Sequence, residues 1–311
     1  MTHLRELGNS EHPAVSVIVP HLNEQAGILR LVRALEAQQT SDVPFEVIVV
    51  DNGSEEPLPH ALISHPLVAV DHEKQPGPGP ARNLGISLAR GRILAFLDAD
   101  CVPDRHWIRT IFDHFEADSG QWVIGGDVRI APRGATLSAI EAYESIFGYR
   151  FELYIRRDGY AGTGNLAVHR EVFEIVGPFG GIEIAEDRDW GQRASRAGFP
   201  PTYVPEMIIY TEARESFSEL ARKWDRHIAH DFADVKGVKR RLRWFLRSLA
   251  LAASPVAEIP RVLNSSRIRG SGARLLAFGV LFRIRIHRSR RMLQLLLGGR
   301  PEEMALGWQK K

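Results

Sequence analysis

Two aspartates spaced one residue apart, Asp98 and Asp100, follow the apolar run RILAFL at residues 92–97. Such a run is typical of a buried strand, and it predicts that both carboxylates lie just past the carboxyl end of that strand. Mg²⁺ and Mn²⁺ prefer oxygen ligands and keep open positions for phosphate oxygens, so a cation held here could neutralise a departing diphosphate. The ordinary alternative is that Asp100 or Asp104 is a helix N-cap. The position after the strand favours the metal site.

Polar residues also follow two other apolar, β-branched runs. VSVIVP leads into Asn23 and Glu24, and FEVIVV leads into Asp51 and Gly53. Taken singly, Glu24 is explained as an acid in a first helical turn and Asp51 as part of a tight turn. In open α/β sheets, however, ligands bind beyond the carboxyl ends of the strands. Three such groups therefore predict one polar site at this edge of a sheet.

A glycine- and proline-rich loop, QPGPGP, leads into a helical pattern through Arg82 and Asn83. Its glycines permit close backbone approach, and a helix N-terminus attracts anions. Arg82 could add a cationic contact to a phosphate, although a structural turn with a surface arginine is an equal alternative. The loop matches neither GxGxxG nor a Walker loop, which disfavours dehydrogenases and nucleoside triphosphatases.

A second acidic pair, Glu186 and Asp187, opens a helical segment far along the chain. Acids in a first helical turn commonly interact with the helix dipole. A transferase, however, needs a carboxylate that takes a proton from the acceptor hydroxyl. The pair is therefore a candidate for the general base.

Apolar periodicity predicts the elements that must position these residues. Short β-branched runs indicate strands, and apolar residues three and four apart indicate helices between them. This alternation is typical of βαβ units and a largely parallel sheet. The strands predicted before residue 120 lie at 15–20, 45–50, 67–70 and 92–97, and helices follow the first, third and fourth of them.

After residue 120 the regular alternation ends, and strands become fewer than helices. The predicted strands lie at 121–130 and 165–168, and the predicted helices at about 135–156, 170–176, 186–197, 215–235, 238–253 and 272–297.

The composition is that of a globular protein, with 44% hydrophobic and 25% charged residues, and it disfavours a disordered chain. A single cysteine, Cys101, excludes an internal disulfide framework and fits a reducing compartment. The first residues contain no apolar segment, so we expect no secretory signal.

Charge divides the chain into two parts. Residues 237–311 contain 17 lysines and arginines but only three acids, whereas residues 1–236 contain 23 basic and 35 acidic residues. This asymmetry predicts two functions. The acidic part would bind metal and substrate, and the basic part would bind an anionic partner. Leucine, phenylalanine and arginine at helical spacing suit an amphipathic helix lying in a membrane interface. A basic helix packed on its own domain, with solvated arginines, is an equal alternative.

Six sequence blocks occur in order between about residues 14 and 215: VSVIVPHLNE, VVDNGS, GPARNLGI, ILAFLDAD, GTGNLAVHREVFEIVGPF and AEDRDWGQRASRAGF. Together they resemble the inverting family-2 glycosyltransferases with the GT-A fold. The resemblance implies an α/β fold with a mixed, mostly parallel central sheet flanked by helices. It also implies a GT-A domain at 14–236, after an N-terminal tail at 1–13 and before a basic helical extension at 237–311.

The resemblance implies roles for individual residues. Asp100, as the more direct ligand, and Asp98 would hold Mn²⁺ or Mg²⁺, and Asp187 would be the catalytic base with Glu186 beside it. Gly164 and Asn165 would form a turn on the acceptor side. The nucleotide-sugar donor would contact residues at the strand ends and in the loop, namely Pro20, Asn23, Glu24, Asp51, Gly53, Arg82, Asn83, Asp98 and Ala99.

The sequence departs from the family pattern in two places. The family often has a histidine, as a further metal ligand, at the end of the strand that follows the acidic pair, where this chain has Tyr210 and Thr211. His227 and His230 lie farther along and could substitute, or could be ordinary surface or core residues. The QxxRW motif does not follow the acidic pair, and no apolar run reaches the ~20 residues of a membrane span. Both facts argue against a processive synthase.

These observations predict a metal-dependent, inverting transfer of a sugar from a nucleotide-sugar, UDP-sugar by default, to a hydroxyl of a lipid-linked or envelope glycan. We expect a cytoplasmic protein, peripheral at the cytoplasmic face of the plasma membrane if the basic extension binds anionic lipid. A non-catalytic nucleotide-sugar-binding protein is one alternative, and a membrane- or nucleic-acid-binding protein is another. Nucleic acid is not expected, because the arginines of the extension alternate with aliphatic residues and not with stacking aromatics.

Overall fold

The computed structural model describes residues 13–38, 42–117, 120–233 and 235–300. The predicted tail at 1–13, apart from residue 13, and the end of the predicted extension at 301–311 therefore lie outside the described residues.

Internal contacts divide the chain into two compact units. The first combines Met1–Arg129 with Arg150–Thr211, and the second combines Ile130–Tyr149 with Glu212–Lys311. The extension predicted at 237–311 falls within the second unit, and its boundary at residue 236 stays a prediction.

The strands form one mixed sheet, which confirms the predicted α/β class. Its spatial order is β3-β2-β1-β4-β7-β6-β8-β5. The strands are β1 (Val15–His21), β2 (Phe45–Asp51), β3 (Val68–His72), β4 (Ile93–Leu97), β5 (Cys101–Pro103), β6 (Val123–Ala131), β7 (Asn165–His169) and β8 (Thr202–Glu212).

Helices follow most of the strands, with a π-helical segment at Tyr154–Asp158 and a 3₁₀ turn at Val256–Glu258. The α-helices are α1 (Gln25–Glu36), α2 (His60–Ile63), α3 (Pro78–Leu88), α4 (Trp107–Glu116), α5 (Ala139–Phe147), α6 (Phe151–Leu153), α7 (Arg170–Val176), α8 (Glu186–Arg196), α9 (Phe217–Ala233), α10 (Val238–Ala253), α11 (Ile259–Asn264) and α12 (Ser271–Leu296).

The parallel part of the sheet is built by the first four strands. β1 pairs in parallel with β2 and with β4, and β2 pairs in parallel with β3. Almost every residue of β1, β2 and β4 is buried, because helices cover such strands on both faces. The register sets His21 beside Asp51. The polar residues that follow these strands therefore share one edge of the sheet, as the alternation of apolar runs predicts.

The other strands pair in the antiparallel sense. β7 lies between β4 and β6 and is antiparallel to both, and β5 is antiparallel to β8. β5, which the apolar periodicity did not predict, has only three residues. The long helix predicted at about 135–156 is wrong, because α5 ends at Phe147 and is followed by the short α6 and the π-helical segment.

The second unit is a group of helices around its own core. A capping box starts α5: the Ser138 hydroxyl accepts from the Glu141 N–H, and the Glu141 carboxylate accepts from the Ser138 N–H. α5, α9 and α12 bury one apolar cluster that includes Tyr143, Leu220 and Leu281. Within the described ranges, no helix is both long enough and apolar enough to cross a bilayer.

We expect Gly126→Ala to destabilise the fold. A Cβ at this position in β6 would lie 2.0 Å from the Met207 carbonyl oxygen and 2.4 Å from the Asn165 amide nitrogen, so backbone would have to move. The free energy of unfolding, measured by urea denaturation, should fall by about 2 kcal/mol or more.

Gly134→Ala is the matched control, because a Cβ there meets no atom within 4 Å. Its free energy of unfolding should stay within about 0.5 kcal/mol of the wild-type value. Equal stability of the two variants would show that β6 and β8 do not approach each other so closely.

Candidate active site

The loop after β1 is joined to the loop after β2 through a buried histidine. His21 Nδ1 lies 3.0 Å from Asp51 Oδ1, and the Glu24 N–H donates to His21 Nε2 at 3.2 Å. Because Nε2 accepts, the hydrogen-bond network assigns the ring proton to Nδ1, which donates to Asp51. Sequence reasoning missed His21, although a histidine at the end of a buried strand beside an acidic loop was a usable signal.

Asn23 completes this connection with an unusual backbone conformation. Its φ is 54°, a region that asparagine tolerates better than most residues. There its N–H donates to the Ser54 hydroxyl at 2.9 Å, and its side-chain oxygen accepts from the Glu55 N–H at 2.8 Å. The predicted donor residues Asn23 and Glu24 are both exposed at this edge, whereas Pro20 is half-buried within β1.

Asp51 is mostly occupied by protein donors. Burial alone would raise the pKa of its carboxyl, but hydrogen bonds from Ser54 and His21 outweigh burial and lower that pKa. The Ser54 hydroxyl donates at 2.5 Å, and the N–H groups of Gly53 and Ser54 donate at 3.3 Å. Gly53 itself is exposed and adopts a φ of 89°, which a glycine allows in a tight turn. In this structure Asp51 anchors the loop, and its predicted contact with a nucleoside stays a prediction.

Two asparagines hold the glycine- and proline-rich loop. The Asn52 amide donates to the Glu73 and Gln75 carbonyls and accepts from the Gly77 N–H. The Asn83 amide donates to the Phe179 carbonyl and accepts from the Phe179 N–H, both at 2.9 Å. Asn83 therefore fixes α3 to a distant segment, and its predicted contact with the donor stays a prediction.

Arg82 joins the two acidic pairs. Its side chain is only 3% exposed, and it donates to Asp98 Oδ1 at 2.7 Å and to Glu186 Oε1 at 2.9 Å. Its Nε is buried and has no partner among the described residues. The alternative of a surface arginine on a structural turn is thus wrong. Arg82 brings the end of β4 and the start of α8 together across about a hundred residues of sequence.

Glu186 and Asp187 differ in their surroundings although they are neighbours. Glu186 accepts from Arg82, whereas among the described residues the Asp187 carboxylate accepts only from the Arg188 N–H, at 2.6 Å. Burial and then the charge of Glu186 raise the pKa of Asp187. A carboxylate with a raised pKa and few protein donors is a stronger base than an ordinary surface aspartate.

Glycines lie against the segment of the aspartate pair after β4 on two sides, where any side chain would collide with it. A Cβ at Gly164 would lie 2.7 Å from Asp98 Oδ2, and a Cβ at Gly27 would lie 2.7 Å from the carbonyl oxygen of the buried Ala99. Asp100 reaches solvent but is crowded by protein on its other sides. That burial, followed by the charges of Asp98 and Glu24, raises the pKa of Asp100.

This group of carboxylates fits a divalent cation, because negative charge accumulates there and Arg82 balances it only in part. Among the described residues, no three histidine, cysteine or acidic side chains are grouped so that they could hold a metal. Two carboxylates are enough for a cation that takes its other ligands from phosphate and water. Thr211, at the position where a histidine was expected, is buried and pairs with Cys101 in the β5–β8 register. His227 and His230 lie in α9 and complete no such group.

Asn165 is fully buried and hydrogen-bonds to two neighbouring strands and a helix. Its amide nitrogen donates to the carbonyls of Asp127 and Met207, and its oxygen accepts from the Trp107 indole N–H. All of its hydrogen-bonding groups are thus used inside the fold. Its predicted place on the acceptor side stays a prediction, as does that of Gly164, which gives Asp98 the space it occupies.

Two stacked tyrosines near Asp187 are a further feature that the sequence analysis missed. The rings of Tyr154 and Tyr160 have centroids 5.5 Å apart and planes 6° apart. Tyr160 packs directly on Gly191, one helical turn beyond Asp187 on α8. Burial and then the charge of Asp187 raise the pKa of Tyr160 to about 12. The π-helical segment that carries Tyr154 could have indicated a functional position, because such segments are frequent at functional sites.

A mixed sheet of this order, with carboxylates gathered beyond its parallel strands, defines an α/β transferase of the GT-A type. A family model described as glycosyl transferase family 2 matches residues 16–174. The chain belongs to this family, and it is a glycosyltransferase that takes its sugar from a nucleotide-sugar donor.

Curated relatives agree with this assignment. The chain is 35% identical to glycosyltransferase AglE of Haloferax volcanii over 218 residues, which is 68% of this chain and 70% of that protein. It is 32% identical to the pre-mycofactocin glycosyltransferase of Mycobacterium tuberculosis over 232 residues, which is 72% of this chain but only 48% of that protein.

Solved structures share the fold at low identity. A mannosyltransferase of Pyrobaculum calidifontis, in complex with GDP-Man and Mn²⁺, is 20% identical with a TM-score of 0.52, covering 97% of this chain and 89% of that chain. Glucosyl-3-phosphoglycerate synthase of Mycobacterium tuberculosis, in complex with Mn²⁺, UDP-glucose and phosphoglyceric acid, is 20% identical with a TM-score of 0.50, covering 72% and 79% of the two chains.

We expect Asp100→Asn to stabilise the metal-free fold. A carboxyl whose pKa is raised by folding is harder to ionise in the folded than in the unfolded chain, so its charge costs stability at neutral pH. The neutral amide removes that cost. The melting temperature in EDTA should rise near neutral pH, and the gain should vanish in acid, where Asp100 is protonated in both states.

Asp113→Asn is the control, because Asp113 is an exposed partner of Arg109 at 2.8 Å. Its loss should leave the melting temperature unchanged or slightly lower. A lower melting temperature for Asp100→Asn at neutral pH would mean that its carboxylate is stabilised by protein donors and is not poised for a cation.

Proposed function

We propose that this glycosyltransferase works by a metal-assisted single displacement with inversion, and that Asp187 is its base. The observation that supports the proposal best is the double ion pair of Arg82 with Asp98 and Glu186. Through these two ion pairs, one guanidinium contacts both Asp98, which is expected near the diphosphate, and Glu186, which is next to the expected base. The acceptor hydroxyl and the donor sugar would meet between these ends.

Each protein group has a separate task in this scheme. Asp187 accepts the proton of the acceptor hydroxyl, whose oxygen attacks the anomeric carbon from the face opposite the diphosphate. The bond from the anomeric carbon to the diphosphate oxygen breaks, and the electron pair leaves with the nucleoside diphosphate. Arg82 lies close enough to Asp98 to donate to the departing phosphates as their charge grows.

Asp98 and Asp100 would hold the Mn²⁺ or Mg²⁺ ion. When bound, the cation neutralises the diphosphate and makes it a better leaving group. Glu24, whose charge acts on Asp100, is exposed at the same edge, and we propose that it contacts the nucleoside. Glu186 is a positioning residue, because it pairs with Arg82, whereas Asp187 feels the charge of Arg82 but accepts no hydrogen bond from it among the described residues.

The donor is proposed to be a UDP-sugar, as the family resemblance implies, and the acceptor a lipid-linked or envelope glycan. The similar solved structures hold GDP-mannose in one case and UDP-glucose in the other, both with Mn²⁺, so nucleotide choice needs a direct test. The partly exposed Tyr154–Tyr160 pair suits contact with the apolar face of an acceptor sugar beside Asp187. Location at the cytoplasmic face of the plasma membrane stays part of this proposal.

We expect a donor panel to identify one nucleotide whose binding requires the metal. The full chain would be melted with UDP-, GDP- and dTDP-sugars, each with Mn²⁺ or EDTA. At a hundredfold excess over Kd, binding adds about 2.7 kcal/mol, which corresponds to roughly 4 °C for a chain of 311 residues. The shift should occur with UDP-sugars plus Mn²⁺ and should be lost in Asp98→Asn. An equal shift in EDTA would reject the metal site, and a shift with GDP-sugars alone would reject the UDP assignment.

We expect Asp187→Asn to lose transfer while it retains donor binding. Loss of a general base lowers the rate by roughly 10²- to 10⁴-fold, whereas the donor-induced melting shift should persist. Because the pKa of Asp187 is raised, wild-type transfer should decline on acidification at a higher pH than an ordinary aspartate would cause.

Asp189→Asn is the matched control on the same helix, since Asp189 pairs with Arg193 at 2.9 Å and is outside the proposed machinery. Transfer would be followed by nucleotide release, and the anomeric configuration of the product by NMR. Retention of configuration, or full activity of Asp187→Asn, would contradict the mechanism.

A further inference from the structure

The second unit exposes an unusual share of large apolar side chains. Among the described residues, 18 large hydrophobic residues are exposed, and 12 of them lie between residues 237 and 300. The same stretch contains 15 lysines and arginines and a single acid, Glu258. Apolar surface of this extent beside positive charge indicates a binding surface for an anionic partner with an apolar interior.

One face of α10 packs within the second unit, and the opposite face is exposed. Trp244 and Ser248 are buried, and the Trp244 indole donates to the Met292 carbonyl of α12 at 3.0 Å. The opposite side carries an outer face of five exposed residues at helical spacing. They are Val238, Leu242, Phe245, Leu246 and Leu249, with exposures of 83%, 57%, 41%, 56% and 47%.

Positive charge borders this outer face. By helical spacing, Lys239 and Arg241 lie on its two flanks, and both are exposed. The Arg241 guanidinium donates one hydrogen bond to the Leu296 carbonyl at 2.6 Å, and its other N–H groups are those that would reach a phosphate. Long basic side chains at the border of an apolar stripe can reach lipid phosphates while the stripe enters the acyl region. A second copy of this chain would be a poor occupant, because a symmetric contact through this face would bring like charges together.

The middle of α12 is held within the second unit, although its sequence looks equally suitable for an interfacial helix. Its arginines turn to groups within the second unit: Arg291 lies 3.2 Å from Asp225, Arg288 lies 3.5 Å above the Trp224 ring, and Arg285 lies 3.7 Å from Glu258. Its apolar residues Leu281 and Ile284 are fully buried. The arginines named above pack α12 on its own unit, whereas the outer face of α10 remains exposed.

We propose that the outer face of α10 docks on an anionic bilayer, with its apolar residues in the headgroup–acyl boundary and Lys239 and Arg241 on lipid phosphates. A groove between α11 and α12 adds apolar surface in the same unit. It has a volume of about 590 Å³ and is lined by Ile259, Leu263, Leu275 and Phe278 among others. This surface binds membrane lipid and is separate from the chemistry of sugar transfer.

The test is flotation of the full chain with vesicles of phosphatidylcholine alone or with one third phosphatidylglycerol. Wild type should bind the anionic vesicles at least tenfold more tightly than the neutral ones. The double variant Leu246→Glu/Leu249→Glu should lose at least tenfold on anionic vesicles. Lys239→Gln/Arg241→Gln should reduce the preference for anionic vesicles.

The matched control is Ile63→Glu/Ile175→Glu, which adds the same charge at residues of the first unit that are 53% and 65% exposed. It should float as wild type does. Equal flotation of wild type and Leu246→Glu/Leu249→Glu, or equal binding to neutral vesicles, would overturn the proposal. So would a dimer in sedimentation that only Leu246→Glu/Leu249→Glu dissolves.

Donor-induced melting shifts, measured on the same preparations, separate this inference from the proposed function. If a variant keeps its donor-induced melting shift but loses vesicle binding, the variant is folded and its defect lies in the membrane-binding surface only. Absence of any donor shift with normal flotation would reject the proposed function and leave the membrane proposal standing.

Discussion

The buried guanidinium of Arg82 is the constraint on which the rest of the site depends. A group that stays charged at any physiological pH can be buried only if carboxylates reach it. Here they come from the end of β4 and the start of α8, which are joined through α3 by Asp98 and Glu186. Asp187 follows Glu186 directly, so the same pairing also fixes where the proposed base lies. The antiparallel half of the sheet must leave room for this contact, and Gly164 provides that room beside Asp98.

Polar residues around the site divide into those whose hydrogen bonds are satisfied and those that are left short of partners. Asn52, Asn83 and Asn165 use both ends of their amides to hold backbone groups. Asp98, Asp100 and Asp187 instead accumulate charge that the protein only partly balances, as the raised pKa of Asp100 and Asp187 indicates. Rigid amides thus support carboxylates held ready for a ligand, which is the arrangement that catalysis requires.

Local sequence patterns predicted the parallel half of the fold and the places where its strands end. Those patterns depend on apolar runs and turns within a few residues, which is why Asp98 and Asp100 could be assigned to a strand end. They could not predict β5, which has three residues, or the exact end of α5. The structural bonds of Asn83 and Asn165 could not be predicted, because their partners, Phe179 and Met207, lie about 40 to 100 residues away in sequence. The pairing of Arg82 with Glu186 was hidden for the same reason.

α10 and α12 show why composition alone could not assign the basic extension. Both helices mix arginine with leucine and phenylalanine, and either could have been drawn as an interfacial helix. Three arginines of α12 contact the folded unit and not solvent alone. Their partners are Asp225, Trp224 and Glu258, and the helix sequence does not reveal them. α10 has its own inward anchor in Trp244, yet its leucines face away from that anchor and remain exposed. Exposed leucines between basic flanks cost solubility in water, so their persistence on one helix face is best explained by a surface that covers them.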